Sequence, residues 1–316
     1  MEKRELGKSG ISVSPFCFGG NVFGWTANEK TSFELLDAYT DNGFDFIDTA
    51  DVYSSWAPGN KGGESEAIIG KWLKKSGKRD KVIIATKVGK PMGPDKKGLS
   101  KKYIIRAIED SLKRLQTDYI DLYQSHEDDK NTPLSETLEA FTGLIKEGKV
   151  RAIGASNYSG ARLSEAIEVS KKNGLATYQT MQPEYNLYSR EGYEADLELI
   201  CLENNIGVIT YYSLASGFLS GKYRSEGDLS KSQRGGGIKK FLNPRGLRIV
   251  DALDAIAKEY NTAPASVALA WLIARRGITA PIASATDVKQ LKELLNAATL
   301  RLSEEAIELL TMASEY

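Results

Sequence analysis

The sequence of 316 residues has little of the chemistry that binds metals or forms disulfides. It contains two cysteines, Cys17 and Cys201, and one histidine, His126. The cysteines are far apart and belong to no CxxC or Cys/His cluster, which argues against structural zinc and for a reducing compartment. We therefore predict no metal site and a cytoplasmic location.

An excess of charge of one sign and long apolar runs are also missing. Lys+Arg and Asp+Glu both total 42, so no basic surplus indicates nucleic acid. The N-terminal "MEKRELGKSG" lacks the apolar core of a signal peptide. The most apolar helix-like segment, 263–274, is too short to span a bilayer and is followed by Arg275 and Arg276. These absences predict a small-molecule ligand, no nucleic-acid partner and no membrane role, and they leave the oligomeric state open.

What the sequence does contain is a regular alternation of apolar runs and helical segments. Eight runs rich in Val, Ile, Phe and Tyr lie at 16–20, 44–50, 82–89, 120–126, 152–157, 180–186, 207–213 and 280–285. Continuous apolar character is typical of parallel strands covered on both faces. Amphipathic segments of helical period separate the runs, for example 100–115. Eight such repeats without a linker predict a single domain over 1–316, an α/β fold with a closed (β/α)8 TIM barrel.

Additions to the barrel are predicted at both ends. The segment 5–14 reads as an N-terminal β-hairpin that turns at Gly7–Gly10 and closes the bottom of the barrel. The last residues read as an extra C-terminal helix capped by Ser303. Thr132 is predicted to cap a helix whose first residue is Pro133. The segment 214–246 has no clear periodicity, and loops of that length are usually functional or disordered.

Polar residues close several of the apolar runs, where a barrel of this kind carries its active site. Asp48, Lys87 and His126 end three consecutive runs, and Tyr53 follows the first of them. Each has a structural alternative: a turn cap for Asp48, a solvated charge for Lys87, core packing for His126 and Tyr53. Their coincidence at one end of three neighbouring strands favours a site, whereas Asp51 is interpreted as a turn residue without a role.

These four side chains suit proton donation by a phenol. A tyrosine with a pKa near ~10 is a slow acid at neutral pH and needs a neighbouring cation to stabilise its phenolate. Lys87 can supply the charge, Asp48 can hold the ammonium, and His126 can hydrogen-bond the substrate oxygen. No activated Ser or Cys nucleophile is evident, so a hydride from a bound nicotinamide is the expected attacking group. GxGxxG and GxxxxGK[ST] motifs are absent.

The sequence resembles the aldo-keto reductases. The motifs "DTADVY", "IIATKVG", "DYIDLYQSH", "AIGASNYS", "QPEYNL" and "SLASGFLSGKY" look like those of that family, in order over nearly the whole chain. The chain is most similar in character to bacterial members that resemble the β subunits of voltage-gated potassium channels. The resemblance implies NADPH-dependent reduction of aldehydes and ketones, with Asp48, Tyr53, Lys87 and His126 as catalytic residues and Tyr53 as the general acid.

The resemblance also implies where the cofactor would bind. The expected contacts are Gly20, Asn21, Asp48, Ser156, Asn157, Gln182, Tyr211, Tyr212, Ser213, Leu214, Gly217, Lys222, Arg234, Ser284, Thr286, Gln290 and Glu293. Where many members carry Arg or Lys near the adenosine 2′-phosphate, this chain has Thr286-Asp287. The resemblance implies NADP(H) as the cofactor. The Asp287 carboxylate would oppose the 2′-phosphate, so NADH is possible as well.

Aromatic residues in the loops after the first two strands predict the substrate side. Phe23, Trp25 and Trp56 would line the mouth with Tyr53 and His126, which suggests an apolar or aromatic carbonyl compound. Two other functions stay open at this stage. A cofactor-binding sensor or regulatory subunit would keep the NADPH site with little turnover, and a barrel aldolase would use Lys87 as a Schiff-base lysine.

Overall fold

The structure, a computed structural model, describes residues 1–233 and 235–316. The chain begins with a hairpin of two antiparallel strands, β1 (Arg4–Glu5) and β2 (Ser12–Val13). Gly7 in its turn has φ 60°, and a Cβ there would lie 2.2 Å from the backbone oxygen of Gln179, so conformation and space both require glycine. The predicted hairpin is confirmed.

Eight parallel strands form a closed barrel. They are β3 (Cys17–Gly19), β4 (Phe46–Asp48), β5 (Ile83–Val88), β6 (Ile120–Ser125), β7 (Val150–Ser156), β8 (Thr180–Gln182), β9 (Gly207–Thr210) and β10 (Ile278–Ala283). Each strand pairs with the next, and β10 pairs with β3 to close the ring. The predicted (β/α)8 barrel is confirmed, although β4 and β8 are shorter than the apolar runs that contain them.

The barrel interior and the hairpin share one small core. Inward-facing residues from the strands, such as Phe46, Ala85 and Leu122, pack with Leu6 and Ile11 of the hairpin. The hairpin is also tied down by Arg4, whose guanidinium donates to the backbone oxygens of residues 278 and 273 at 2.7 and 2.9 Å. The N-terminal end of the barrel is therefore plugged, as predicted.

A ring of helices surrounds the barrel and buries the larger core. The helices are α1 (Glu29–Asp41), α2 (Glu64–Ser76), α3 (Lys101–Leu115), α4 (Leu134–Lys146), α5 (Gly160–Asn173), α6 (Glu191–Glu194), α7 (Leu197–Asn204), α8 (Pro244–Glu259), α9 (Pro264–Ala274), α10 (Val288–Leu295) and α11 (Glu304–Ala313). The side chain of Ser303 accepts from the amide of Ala306, which confirms the predicted cap of α11. Within the described residues, no helix is long and apolar enough to cross a membrane.

The predicted start of α4 is wrong by one residue. Leu134 is its first residue and Pro133 occupies the capping position, where it has no side-chain oxygen to offer. The Thr132 hydroxyl donates instead to Asp129 Oδ2 at 2.7 Å. Asp129 also accepts from the amide of Leu99. The Thr132 hydroxyl is therefore bonded to Asp129 and does not cap the helix. The local sequence did not indicate this hydrogen bond.

The long segment before α8 is folded and is shorter than predicted. Short 3₁₀ turns occur at Ala215–Ser220, Glu226–Lys231, Gly235–Gly237 and Lys239–Phe241. The aromatic side chains of Phe218, Tyr223 and Phe241 are buried, with the rings of Phe218 and Phe241 stacked at 5.3 Å. Helix α8 already begins at Pro244, with Asn243 as its cap. These buried aromatic residues are not spaced with a helical period, which explains why the sequence pattern indicated only a loop.

Candidate active site

Three neighbouring strands bring the predicted acid, lysine and histidine together. Asp48 ends β4, Lys87 lies near the end of β5, and His126 directly follows β6. Strand alternation points Asp48 and Lys87 into the barrel, on the same face as Phe46 and Ala85. Asp48 and Lys87 are fully buried, and His126 is 6% exposed.

Lys87 has three oxygen acceptors around its side-chain nitrogen. Its Nζ lies 2.6 Å from Asp48 Oδ2, 2.9 Å from the backbone oxygen of Thr49 and 2.8 Å from Tyr53 Oη. Burial lowers the pKa of Lys87, and the charge of Asp48 opposes that shift. An ammonium has three N–H donors and a neutral amine has two, so three acceptors fit the charged form.

Tyr53 reaches the same cluster from the turn after β4. Its hydroxyl donates to Asp48 Oδ2 at 3.2 Å and accepts from Lys87. Burial raises the pKa of Tyr53 well above its usual value, and the charge of Asp48 raises it further. The phenol is therefore protonated at neutral pH.

His126 forms the remaining wall of this cluster as a neutral imidazole. Burial and the positive charges of Lys87 and Lys90 hold the pKa of His126 well below its usual value of 6.5. Its ring lies 6.0 Å from the Tyr53 ring, centroid to centroid. Among the described residues, Nδ1 is buried and has no hydrogen-bond partner.

The other carboxylate oxygen of Asp48 faces two glutamines. Gln182 Nε2 donates to Asp48 Oδ1 at 3.0 Å, and Gln124 Nε2 approaches the same oxygen at 3.4 Å. Both glutamines are buried inside the barrel. Asp48 thus has hydrogen-bond donors on both carboxylate oxygens.

A second group of buried polar side chains lies outside the barrel, between β5 and helices α2 and α3. Glu66 is fully buried and accepts from the Thr86 hydroxyl at 2.6 Å and from Arg114 Nε at 2.7 Å. Asp51, in the turn after β4, is 1% exposed, yet neither of its carboxylate oxygens has a hydrogen-bond partner among the described residues. Burial and the charge of Glu66 raise the pKa of Asp51 well above 3.8.

Two tyrosine hydroxyls share the environment of Asp51. The hydroxyls of Tyr103 and Tyr123 are buried and unpartnered within the described chain. Burial raises the pKa of both phenols, and a charge on Asp51 would raise it further, so the three groups are electrostatic neighbours. Asp51 does lie in a turn, as predicted, but it is also a buried acid in a polar layer that the sequence did not indicate.

The next strands carry the amides and the aromatic residue predicted to contact a cofactor. Ser156 ends β7, and its hydroxyl donates to the backbone oxygen of Gln182 at 2.9 Å. Asn157 Nδ2 donates to the backbone oxygen of His126 at 2.8 Å. Asn157 Oδ1 accepts from the Tyr211 hydroxyl at 2.7 Å. Asn157 therefore links the predicted cofactor side of the mouth to the histidine.

The backbone beyond β9 is held in unusual conformations. Tyr212, Ala215 and Ser216 have φ of 50°, 47° and 60°, and Gly217 has φ 99°. Positive φ in residues other than glycine is uncommon and clusters at ligand clamps and active sites. The side chain of Tyr212 is 54% exposed. Ser213 is buried and bonded to Thr210, and Leu214 is half-buried against the core.

The first strand end meets the last one beside Asp48. Ser284 donates to the backbone oxygen of Gly19 at 2.7 Å and to Asn21 Oδ1 at 2.5 Å. A Cβ on Gly20 would lie 3.1 Å from the backbone oxygen of Asp48. Gly20, Asn21 and Ser284 therefore form one wall of the mouth.

The residues predicted to hold the adenosine end are more exposed. Gln290 Oε1 accepts from the amide and the hydroxyl of Thr286, both at 3.1 Å. Asp287 caps α10 by accepting from the amide of Gln290. Glu293 is half-buried, and Lys222 is exposed with Nζ 5.2 Å from the Tyr223 ring centre. Arg234 lies outside the described residues.

The predicted substrate side needs one correction. Phe23 is fully buried and packs edge-on against Phe18 at 5.5 Å, so its ring belongs to the core and not to the mouth. Trp25 and Trp56 stand edge to face at 5.7 Å, and Trp56 lies 6.0 Å from Tyr53. Trp56 is 49% exposed. An indole pair, without Phe23, borders the tyrosine.

Gln124 also belongs to the site, although the sequence pattern did not single it out. It lies two residues before His126 in "IDLYQSH", so strand alternation puts both on the same face of β6. A polar residue at an inward position of an apolar strand is the signal that would have found it.

The fold and the site together define a class of protein. The closed (β/α)8 barrel holds a buried aspartate, lysine, tyrosine and histidine at its C-terminal end, where barrels of this kind carry their active sites. The model of the aldo/keto reductase family matches residues 15–315, and the chain belongs to that family.

Similar proteins cover almost the whole chain. It is 38% identical over 320 residues to YrpG, an uncharacterized oxidoreductase of Bacillus subtilis, with 98% of this chain and 95% of YrpG covered. It is 36% identical to the aldo-keto reductase YhdN of the same species, over 93% of this chain and 88% of YhdN. It is 34% identical to a probable voltage-gated potassium channel subunit beta of Arabidopsis thaliana, over 94% and 91%.

These relatives confirm the predicted resemblance, including its potassium-channel branch. Membership of the family makes the chain an oxidoreductase that uses a nicotinamide cofactor and a small-molecule substrate.

Proposed function

We propose that the protein reduces aldehydes or ketones to alcohols with NADP(H), and that Tyr53 donates the proton. The observation that carries the proposal is the position of Tyr53 Oη, 2.8 Å from Lys87 Nζ and 3.2 Å from Asp48 Oδ2. Burial keeps the phenol protonated until a strong base forms beside it, and the adjoining Lys87 nitrogen can then stabilise the phenolate that remains.

The residues at the mouth fit a nicotinamide. Tyr211 offers an aromatic face, held by its hydrogen bond to Asn157. Gln182 Oε1 accepts no hydrogen bond from the described residues, so it is free for an amide donor of a ligand. The strained backbone at 212–217 supports a ligand clamp beside these groups. When bound, the nicotinamide supplies the hydride that attacks the carbonyl carbon.

The protein's own residues manage the proton and the charge. His126 is neutral, and a buried unpaired N–H costs more than an unpaired lone pair, which favours the proton on Nε2, facing the mouth. That N–H can hydrogen-bond the carbonyl oxygen as negative charge develops on it. Tyr53 then gives its proton to the same oxygen, and the Lys87 ammonium stabilises the phenolate. Asp48 keeps that ammonium in place.

Two finer features follow from charge and shape at the rim. Thr286, Ser284 and Lys222 can contact a 2′-phosphate, while the Asp287 carboxylate opposes one and is occupied in capping α10. NADP(H) is therefore proposed with NADH as a weaker substitute. The Trp25–Trp56 pair beside Tyr53 favours an apolar or aromatic carbonyl compound.

An alternative function is a nicotinamide-binding sensor or regulatory subunit with little turnover. The similarity to a probable voltage-gated potassium channel subunit beta is the observation that favours it. The Schiff-base alternative is weakened by the state of Lys87, because a charged, fully buried nitrogen with three acceptors cannot attack a carbonyl.

The test is to measure cofactor binding and turnover separately in the wild type and in Tyr53→Phe. Binding is followed by quenching of tryptophan fluorescence with NADPH or NADH. Turnover is followed by loss of cofactor absorbance with a panel of aromatic aldehydes. Tyr53→Phe should retain cofactor affinity and lose about 10²-fold or more of kcat, the range for removing a general acid.

Each outcome separates the candidates. Binding without turnover in the wild type across the panel would favour the sensor, and no binding of either cofactor would end both. A Tyr53→Phe variant with nearly full kcat would remove Tyr53 from its proposed role. Tyr178→Phe is the control, because its hydroxyl lies outside the barrel and bonds Ser125 at 2.7 Å.

A further inference from the structure

Gln124 is a buried polar residue in the barrel interior with no assigned role. It pairs in register with Lys87 on one side and with Gly154 on the other. A Cβ on Gly154 would lie 3.1 Å from Gln124 Cγ, so the glycine leaves the room that the glutamine side chain occupies. Its position fixes its amide between β4 and β8, beneath the mouth.

The amide of Gln124 contacts two residues of the site at once. Its Oε1 accepts from Gln182 Nε2 at 3.3 Å, and its Nε2 donates to Asp48 Oδ1 at 3.4 Å. Gln182 Nε2 also donates to Asp48 Oδ1, at 3.0 Å. The three side chains form a closed triangle of hydrogen bonds.

This triangle determines which way the Gln182 amide faces. A carboxylate such as Asp48 only accepts hydrogen bonds, so Gln182 must turn its NH₂ group toward it. Gln124 Oε1 accepts from the same NH₂ group, which uses both of its hydrogens. A flipped Gln182 would place its oxygen against the Asp48 carboxylate and against Gln124 Oε1, and both contacts would be repulsive.

We propose that Gln124 is a positioning residue that fixes the Gln182 amide, so that Gln182 Oε1 stays available as an acceptor for the carboxamide N–H of the nicotinamide. The proposal rests on the proposed function, since it concerns how that cofactor is held. A carboxamide brings two N–H donors and needs acceptors in the right place. An acceptor that is already oriented before binding loses less conformational freedom when the ligand arrives.

The decisive experiment measures cofactor affinity by tryptophan fluorescence in Gln124→Met and Gln124→Glu. Met has a similar length and no hydrogen-bonding amide, so the Kd for NADPH should rise about three- to tenfold, the value of one net hydrogen bond. Glu keeps an acceptor for Gln182 but loses the donor to Asp48 when ionised.

The pH profile of Gln124→Glu supplies a signature that a structural defect would not give. Protonation restores a group with one donor and one acceptor, so its affinity for NADPH should recover as the pH falls from about 8 to about 6. The proximity of Asp48 raises the pKa of a second carboxyl into this range. The ratio of the Kd of Gln124→Met to the Kd of the wild type should stay constant over the same pH range.

Ser125→Ala is the matched control on the same strand. Ser125 points outward and bonds the Tyr178 hydroxyl at 2.7 Å, so its loss removes a buried hydrogen bond without touching the barrel interior. It should lower the unfolding midpoint about as much as Gln124→Met and leave the Kd unchanged. Gln182→Met should raise the Kd, and adding Gln124→Met to it should raise it no further.

Two results would overturn the proposal while the proposed function stands: an unchanged Kd in Gln124→Met, or Kd increases that multiply in the double variant. A wild type that binds neither NADPH nor NADH would reject the proposed function itself.

Discussion

Asp48 and Asp51 lie three residues apart on one turn, are equally buried, and have opposite surroundings. Asp48 points into the barrel, where Lys87, Tyr53, Gln182 and Gln124 all contact its carboxylate. Asp51 lies outside the barrel, where its two oxygens have no hydrogen-bond partner among the described residues. The same residue type is therefore held by several donors on one side of the strand end and by none of the described ones on the other.

The difference shows that burial does not decide the state of an acid by itself. Outside the barrel, Arg114 already pairs with Glu66, so burial raises the pKa of Asp51 without a paired cation to oppose it, and the Glu66 charge raises it further. Inside, the Lys87 ammonium and the amide donors compensate the charge of Asp48. The two aspartates differ in the hydrogen-bond donors around them and not in how deeply they are buried.

The largest effect is expected when the inner acid is neutralised. Asp48→Asn leaves the Lys87 ammonium buried without its counter-charge, which should lower the free energy of unfolding by about 3–5 kcal/mol. Denaturant unfolding at pH 7.5 measures the change. Asp48→Asn combined with Lys87→Met should regain part of the lost free energy of unfolding, because no buried charge remains at this pair. A double variant less stable than Asp48→Asn alone would contradict the ion-pair explanation.

The same substitution at the outer acid should have the opposite sign. The folded pKa of Asp51 lies above its ordinary value of 3.8, so the folded state holds the proton more tightly than the unfolded state. Wild-type stability contributed by Asp51 is therefore full below about pH 4 and is lost as the pH rises through the folded pKa. Asp51→Asn removes this loss and should raise the free energy of unfolding at pH 8 by about 1 kcal/mol or more.

Denaturant unfolding of wild type and Asp51→Asn from pH 4 to pH 8 checks this difference. The gap between the two curves should widen with pH. A constant gap, or a variant that loses stability at pH 8, would show that folding does not raise the pKa of Asp51.

A smaller effect is expected for His126, which is buried on the inner side without compensation. Its folded pKa lies below the unfolded value of 6.5, so the unfolded state binds more protons as the pH falls below 7. Wild type should lose about 1 kcal/mol or more between pH 7 and pH 5 through this residue. His126→Gln should show a shallower decline over that range. As His126 is the single histidine, other side chains with ordinary pKa values contribute little between pH 6 and pH 7.

The smallest effect concerns the tyrosine hydroxyls near Asp51. Tyr123→Phe removes a buried hydroxyl that has no described partner, so the free energy of unfolding should stay within about 0.5 kcal/mol or rise slightly. Tyr178→Phe is the matched control, because its hydroxyl bonds Ser125, and it should lose about 1 kcal/mol. Equal losses in both variants would indicate that Tyr123 has a partner such as a buried water.

The sequence predicted the barrel because its signals are local. Apolar runs of parallel strands, the Gly7–Gly10 turn and the Ser303 cap each depend on neighbours in the chain. Strand ends also predicted that Asp48, Lys87 and His126 meet, because parallel strands of a barrel end on one side.

Contacts between distant segments are what the sequence could not predict. Phe23 follows a strand end, as the site residues do, but its ring packs against Phe18 in the buried core. Asp51 has the spacing of a solvated turn residue, and its burial depends on α2 and α3 packing over it. Strand alternation could have predicted that Gln124 faces the barrel interior. Its hydrogen bonds with Asp48 and Gln182 could not be predicted, because the triangle joins residues 58 to 134 positions apart.

In the part of the chain that the structure describes, the N-terminal hairpin closes one end of the barrel. Arg4 fastens the hairpin to β10, and Leu6 and Ile11 fill the floor beneath Phe46. A ligand that reaches Tyr53 must therefore enter and leave at the opposite end, where Trp56 lies 6.0 Å from Tyr53, ring to ring. Two ligands that use the same opening must bind in a fixed order, in which the deeper one binds first and dissociates last.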